Sequence, residues 1–409
     1  MADRRAVSLA ALAVWNFRAY FAGQLAATTG LWFQNLSVSL VVADLTGSAS
    51  ALALVTVAQF GPVLVLSAPA GRVVDAHPPR RVLMATSAGA ATLSLVLAAA
   101  LAPSEPDLVV VLVVFAALGS VAAFERAAAQ AIVFELVGPD LLQNGVVLST
   151  VYLSGARSIG PALAGVAFVA LGPAACMIVT ACGYAIQLGC MAAIRERRLV
   201  DRPRPEGEKI STLRNLGAVA ANRPLLAVLL VNVVVTLGAM NFNVVLTSVV
   251  SLQFDGAATA LGAAHALNAI GAVVGALAVT LVARVRPSTL VPACLVFAVA
   301  LAVNASMPTL GLLLLAAPVL GIGLGVYQSV LNSAAQSVTP PHALGRTMAL
   351  LTMGNRGMAP FGALLMGALI DATTGRTALA VGATTCVATA TVLHLALRAA
   401  DHAPAPELR

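Results

Sequence analysis

The sequence predicts an all-α membrane protein of about twelve transmembrane helices, arranged as two pseudo-symmetric six-helix bundles. Three observations predict it. The composition is too apolar for a water-soluble core, the apolar residues fall in runs of membrane-spanning length, and short motifs of the first half return in order in the second.

Of the 409 residues, 60% are apolar and 10% charged, against roughly 45–50% and 25% in a soluble domain. A soluble fold cannot hide that much apolar surface, because much of its exterior must still face water. The net charge is +7, but the basic residues sit in short segments between apolar runs. That is the pattern of a topology signal, so no nucleic-acid partner is predicted. Cys176, Cys182, Cys190, Cys294 and Cys386 lie inside apolar runs and form no C-x-x-C pair. They read as packing residues, with no metal or cofactor predicted. Arg5 and the run Ala6–Trp15 have the look of a signal peptide. The run lacks an A-x-A cleavage site and Arg18 leads into another apolar run, so it reads as uncleaved.

Apolar runs of roughly 17–25 residues, bounded by turns or charges, predict helices over 17–43, 50–71, 82–102, 108–126, 146–170, 174–194, 225–249, 259–283, 289–306, 310–330, 347–370 and 377–398. Most connections are short. The exception, 195–224, carries Arg195, Arg197, Arg198, Arg202, Arg204, Lys209, Arg214 and Arg223 and is rich in Pro and Gly. It divides the chain into a six-helix half over 1–194, a solvated linker over 195–224 and a second half over 225–409.

Charge orients these helices. Alternate loops hold Arg4 and Arg5; Arg72, Arg80 and Arg81; the linker cluster; Arg284 and Arg286; Arg346; and Arg398. The intervening loops hold Asp44, Glu105, Asp107, Asp255 and Asp371, with Arg376 their one basic residue. Lys and Arg mark cytoplasmic loops. The asymmetry therefore predicts a multi-pass protein of the cytoplasmic membrane with both termini and the linker in the cytoplasm.

The halves repeat. Gly155-Ala-Arg157-Ser-Ile-Gly160-Pro161 and Gly354-Asn-Arg356-Gly-Met-Ala359-Pro360 both read G-x-R-x-x-small-P, 199 residues apart. Ala128-Ala-Gln130 returns as Ala334-Ala-Gln336 at an offset of 206, and Gly30…Asn35 as Gly238…Asn243 at 208. Duplication of a six-helix unit is the economical explanation.

Arg157 lies about eleven residues into its predicted helix, roughly 17 Å at 1.5 Å per residue. Arg356 is nearly as deep. A guanidinium there costs at least about 2.5–3.5 kcal/mol, so each is predicted to face the protein interior or a wet cavity. Two roles stand open: recognition or coupling of a substrate, and capping of carbonyls freed by Pro161 and Pro360. As a binding site, two deep cations favour anionic or acceptor groups.

Interhelical hydrogen bonding accounts for most other intramembrane polar residues: Gln24, Gln34, Asn35, Gln59, Asn232, Asn241, Asn243, His265, Asn268, Gln328 and Asn332. Asn35 and Asn243 stand out because they occupy matched positions, and Gln24 and Gln34 join them as candidate binding residues. Glu125-Arg126 is predicted to close the fourth helix. Glu125 is the candidate proton carrier with Arg126 beside it, and a surface ion pair is the alternative. Gly155, Gly160, Pro161 and Gly165 make the fifth helix a hinge, a seal, or a tight packing face.

Gly71-Arg-Val-Val-Asp75-Ala-His-Pro-Pro-Arg80-Arg81 resembles the G-x-x-x-D-[RK]-x-G-x-[RK]-[RK] signature of the major facilitator superfamily. Ala76 replaces its usual basic residue and Pro78 its second glycine. Gly160-Pro161-Ala-Leu-Ala-Gly165 is similar to the fifth-helix antiporter signature G-P-x-x-G-G, with Ala164 for one glycine. The stretch Phe124-Glu-Arg-Ala-Ala-Ala-Gln130…Glu135-Leu-Val…Leu142…Asn144…Gly155-Ala-Arg157…Gly160-Pro161, with the opening Asn16-Phe17-Arg18…Phe21-Ala-Gly-Gln24…Gly30…Gln34-Asn35, resembles the drug-efflux branch that includes the enterobactin exporter and macrolide-efflux proteins. The resemblance implies alternating access by two rocking halves, with substrate held between them. It implies a latch between the cytoplasmic ends of the halves at the motif of Gly71, Asp75, Arg80 and Arg81, and proton-driven export of amphipathic compounds such as drugs and siderophores. With Gly155, Gly160, Pro161, Gly165 and Pro360, these are the candidate residues of a conformational gate.

The expected function is thus secondary active transport, as proton-coupled export of a small amphipathic compound. The expected partners are that compound, protons and the bilayer, and the chain is expected to act as a monomer. An importer or uniporter on the same fold is the alternative. The sequence holds no constellation of His, Asp, Glu and Ser at catalytic spacing and no G-x-x-x-x-G-K-[ST] motif. It therefore predicts neither an enzyme nor direct use of ATP.

Overall fold

The computed structural model describes residues 9–103, 105–200, 222–282, 284–339 and 344–401. Arg4, Arg5 and most of the predicted linker, including Arg202, Arg204, Lys209 and Arg214, lie outside the described residues. Three apolar helices come first: α1 (Trp15–Thr46), α2 (Ala49–Ala76) and α3 (Pro79–Ala100).

Residues Leu108–Ala192 then run helically for 85 residues. At 1.5 Å per residue that is roughly 130 Å, about four times a hydrocarbon core. Two glycines divide it. Gly138 (φ 71°, ψ −179°) and Gly172 (φ 82°, ψ 173°) adopt backbone that residues with a side chain avoid. Each precedes a proline, which disfavours helix in the residue before it and opens the next helix. The result is α4 (108–137), α5 (139–171) and α6 (173–192).

The second half follows with α7 (Arg223–Gln253), α8 (Ala258–Val279), α9 (Pro287–Ala305) and α10 (Leu310–Ser337). In α11 (344–372) a π-helical turn, Met353–Gly357, joins Leu344–Thr352 to Ala359–Ala372. The last helix is α12 (Gly375–Asp401). Twelve membrane-length helices are thus present among the described residues, in agreement with the sequence.

Several expected boundaries shift, and the largest shift is at the fourth helix. The fourth helix was expected to close at Glu125-Arg126, but α4 continues to residue 137, and α5 begins at 139 and not 146. Charge was the misleading signal. Ala127–Ala129 and Ala131 favour helix, and the chain turns only where Gly138 permits it. The added turns bury Ala128, Ile132, Val133 and Leu136 against Phe17, Tyr20 and Leu83.

The chain forms two compact units. Unit 1 holds Met1–Gly47, Leu54–Gly207 and Gly256–Ala266; unit 2 holds Ser48–Ala53, Glu208–Asp255 and Leu267–Arg409. Each is one sequence half, except that the opening turns of α2 and α8 belong with the other half's unit.

Within unit 2, α8 and α10 cross through paired G-x-x-x-G motifs. A β-carbon on Gly321 would lie 1.9 Å from the Asn268 carbonyl oxygen, and on Gly325 2.1 Å from that of Ala272. From the other side, one on Gly271 would lie 2.0 Å from the Pro318 oxygen and on Gly275 2.2 Å from that of Ile322. Backbone meets backbone, the close approach that small residues allow in a membrane. Unit 1 repeats the device between α4 and α2, where a β-carbon on Gly119 would lie 2.4 Å from the Gln59 oxygen. Gly119 and Gly325 are separated by 206 residues, the offset of the Ala-Ala-Gln repeat.

The start of α2 is held in unit 2 by Asp371. Its carboxylate accepts from the Ser48 hydroxyl (2.8 Å) and from the backbone N–H groups of Ala49 (2.6 Å) and Ser50 (3.0 Å). It is a helix cap supplied from a distant part of the chain. Desolvation raises the Asp371 pKa, but the Ser50, Ser48 and Ala49 hydrogen bonds outweigh it and hold the carboxyl below its ordinary value. A depressed carboxylate stabilises above its unfolded pKa, about 3.9, and loses that contribution as pH falls through the folded value. Asp371→Ala is therefore expected to lower stability at pH 7 by roughly 1 kcal/mol, the order of a helix cap. Melts of the detergent-purified chain should show the gap narrowing below about pH 4.

Candidate coupling and substrate sites

Unit 1 contains a polar cluster inside an apolar bundle. Glu125 stands on α4, seventeen residues past its start, so roughly 26 Å along the helix. Its Oε1 accepts from the Gln187 Nε2 at 3.0 Å. Gln187, on α6, is fully buried. The two helices meet α1 here, because a β-carbon on Gly23 would lie 3.0 Å from the Cys190 β-carbon and 3.1 Å from the Gln187 α-carbon.

Tyr20, one turn before Gln24 on α1, donates its hydroxyl to the Ala129 carbonyl at 3.0 Å. That hydroxyl also lies 3.4 Å from the Tyr152 hydroxyl on α5. The two rings pack edge-on at 6.3 Å. Around this group, Arg126 Nη1, Gln24 Nε2 and Gln187 Oε1 are buried without a hydrogen-bond partner among the described residues. Buried polar atoms are normally paired, so three together mark a place able to take a proton or a polar group of a ligand. Glu125 and Arg126 are both half-buried, and no ion pair joins them among the described residues.

A second group in unit 1 lies nearer the middle of α5. Gly160 seats Trp32, whose ring atoms would lie 2.8–2.9 Å from a β-carbon there. Trp32 also packs against His265 of α8, with ring centres 6.0 Å apart. Arg157 is one turn from Gly160 and is exposed. Pro161 lacks the N–H that would pair with the Arg157 carbonyl, yet the Arg157 guanidinium makes no hydrogen bond among the described residues. Asn35 accepts from Gln59 Nε2 at 2.8 Å, while Gln34 is buried with its Oε1 unpaired among the described residues.

The residues expected to form a gate fall into different settings. Gly165 and Pro161 pack against the start of α8: a β-carbon on Gly165 would lie 2.6 Å from the Ala258 oxygen, and one on Gly262 2.4 Å from that of Pro161. Gly71 and Gly155 have no such neighbour within 4 Å. Asp75 and Arg81 are exposed. Arg80 has a role the sequence did not show. It donates to the Met191 carbonyl (2.8 Å) and the Ala192 carbonyl (3.0 Å) and pairs with Glu196. It caps the end of α6 inside unit 1, a favoured place for a cation.

In unit 2 the polar residues gather where helices are irregular. The backbone of α7 leaves helical geometry at Met240 and Asn241. The Asn241 side chain donates to the freed carbonyls of Thr236 and Leu237, both at 3.1 Å. Gln328 of α10 and Asn355 of α11 each reach the Met240 sulfur at 3.7 Å. Beside the break is a cavity of about 10 Å3, lined by Gly238, Asn241, Met366 and Gly382 among others, enough for about one water. Arg356 is exposed on the π-helical turn, a form frequent at functional sites. Asn232 braces that turn by donating to the Leu351 carbonyl at 2.8 Å. Pro360, buried, opens the helix beyond it. The matched residue Asn243 is half-buried just past the α7 break, but Asn241 makes the helix-patching bonds.

Among the described residues, no three His, Cys, Asp or Glu side chains stand where they could hold a metal ion.

A family model described as transmembrane secretion effector, within the major facilitator superfamily, matches residues 6–407. The chain belongs to this family. No curated protein sequence matches this secretion-effector chain. Solved structures share its fold. The nucleoside transporter NupG superposes with a TM-score of 0.72 at 12% identity, covering 94% of this chain and 99% of that one. The peptide transporter POT in complex with sulfate gives 0.72 at 12% identity, covering 94% of each chain. A bacterial homolog of the human lysosomal transporter Spinster, inward-facing and occupied, gives 0.71 at 14% identity, covering 95% of this chain and 99% of that one. At such identities the likeness establishes the fold alone. The secretion effector is a multi-pass membrane transporter of the major facilitator type.

Proposed function

We propose that the chain is a proton-coupled exporter. It moves a small amphipathic compound out of the cell by alternating access of the 1–194 and 225–409 halves, joined by the 195–224 linker. It acts as a monomer in the cytoplasmic membrane with both termini in the cytoplasm. The secretion-effector family match supports the outward direction, and the resemblance to drug and siderophore exporters supports the cargo class.

The observation that carries the coupling is Glu125, a carboxyl inside a helical bundle that accepts a hydrogen bond from the Gln187 amide. Protonation there removes a whole charge from a low-dielectric interior, a large electrostatic change for a small chemical step. Arg126 and Gln24 offer unpaired donors beside it. Arg157 and Arg356 supply the matched cations that recognise an acceptor-rich cargo, with Gln34, Asn35 and Asn243 as further polar contacts. Gly71, Asp75 and Arg81 form the gate with the α5 glycines, Pro161 and Pro360, and Arg80 acts there by fixing the end of α6.

Inside-out vesicles loaded with the wild-type chain test this. Radiolabelled macrolide and iron-free catecholate siderophore should accumulate under an imposed proton gradient and stop with an uncoupler. Accumulation indifferent to the gradient would support uptake or uniport on the same fold. Arg157→Ala and Arg356→Ala are each expected to reduce accumulation to that of empty vesicles while the protein reaches the membrane at normal levels. Normal transport by both variants would remove them from the binding site.

A further inference from the structure

We propose that Trp15, Arg18 and Arg195 form a binding site for the phosphate of an anionic lipid headgroup, at the end of unit 1 where α1 begins and α6 ends. Trp15 opens α1, and Arg18, three residues on, lies on the same helix face. Its guanidinium carbon stands 5.4 Å from the centre of the Trp15 ring. Arg195 comes from the segment just past α6, and its guanidinium carbon stands 6.0 Å from the same ring centre.

The convergence is built. The Asn16 side chain, 1% exposed, accepts from the Arg195 N–H at 3.0 Å and donates to the Arg195 carbonyl at 3.1 Å. That two-point clamp ties the start of α1 to the end of α6 and directs Arg195 toward the indole. Arg80 fixes the same end of α6 through Met191 and Ala192.

Two like charges are therefore brought onto one ring, and no carboxylate balances them. Glu196, the acid next to Arg195 in sequence, pairs with Arg80, and neither Arg18 nor Arg195 has an ion pair among the described residues. Stacking on the indole uses the flat face of a guanidinium and leaves its N–H edge for an oxyanion, where the fork geometry matches phosphate. Arg18 and Arg195 are both exposed, as are Arg197 and Arg198 beside them.

The anion belongs to a lipid because the same spot carries exposed apolar side chains. Trp15 is 47% exposed and Leu9 62%, and an exposed Trp at the end of a membrane helix sits at headgroup level. Basic residues at that level are drawn to anionic lipid. A lipid satisfies both features at once, with its phosphate on the two arginines and its chains along Trp15 and Leu9. Free phosphate answers only the charge.

The chain holds two tryptophans, so a Trp32→Phe background leaves Trp15 as the one reporter. This background is reconstituted in phosphatidylcholine nanodiscs containing a minor fraction of acyl-brominated lipid. Brominated phosphatidylglycerol is expected to quench Trp15 at least about threefold more than brominated phosphatidylcholine at equal mole fraction. Adding Arg18→Gln and Arg195→Gln should make the two lipids equal, whereas Arg286→Gln, an exposed charge in unit 2, should leave the preference intact. Inorganic phosphate in the buffer should not relieve it. Equal quenching by the two lipids with both arginines present would overturn the proposal without recourse to any charge variant. So would a preference that survives the double substitution, and relief by inorganic phosphate would assign a free-anion site instead.

Discussion

Glu125→Gln is expected to reduce proton-driven accumulation in inside-out vesicles to the leak of empty vesicles, while labelled substrate still exchanges across a membrane with no gradient. Gln keeps the volume of Glu and an oxygen for the Gln187 amide, so the polar cluster of unit 1 keeps its shape. What it loses is the ability to gain and give up a proton. A coupling residue must therefore separate the two assays, stopping net transport against a gradient and sparing exchange. A structural residue would lower both together and reduce the folded yield. Tyr20→Phe serves as a comparison within the same cluster, since it removes the hydroxyl bonded to Ala129 without touching the carboxyl. It should weaken transport and leave its proton dependence unchanged.

The second large effect is on folding. Gly321→Leu should leave almost no monodisperse protein by size-exclusion chromatography, because its β-carbon would stand 1.9 Å from the Asn268 carbonyl oxygen. The obstruction is backbone, which cannot rotate aside. Helices α8 and α10 must part by roughly 1 Å before the contact is tolerable, and close-packed interiors transmit such a shift. The contacts at Gly271, Gly275 and Gly325 open with it. Gly155→Ala is the counterpart. It stands on a helix with nothing within 4 Å of a β-carbon, so yield should be unchanged. A normal yield of Gly321→Leu would mean that this crossing does not hold unit 2 together.

The helix count was legible because a membrane imposes a length. Runs of apolar residues have to span about 30 Å, and that constraint recovers the helices even where boundaries slip. The slip at α4 shows what the pattern lacks. Charge density suggested an end at Glu125-Arg126, whereas the backbone turns where Gly138 and Pro139 allow it. A Gly-Pro pair was the better signal. The repeat was legible too, and the glycines at 119 and 325 extend it at an offset already visible in Ala128–Gln130 and Ala334–Gln336.

The candidate sites were legible one residue at a time but not as groups. Glu125 and Arg126 could be nominated from their chemistry, but Gln187 is 62 residues from Glu125, and nothing local in the sequence announces the pairing. Trp32 and His265 come from opposite halves of the sequence and meet because the first turns of α8 belong with unit 1. Arg80 was read through a superfamily motif as a gate residue, and its bonds to Met191 and Ala192 add a task inside one bundle that the motif does not express. Matched position in the two halves singles out Asn243, whereas Asn241 makes the bonds to the Thr236 and Leu237 carbonyls. The broken backbone of α7, which gives Asn241 its carbonyls to bond, is a tertiary event.

The central claim is that cargo and proton compete through Glu125. Proton release on substrate binding tests it most directly, read with a pH indicator in weakly buffered solution of the detergent-purified chain titrated with iron-free catecholate siderophore or macrolide. The wild type should release protons as it binds the compound, and Glu125→Gln should bind without releasing any. Release of the same size from Glu125→Gln would contradict the claim and move the coupling to another group.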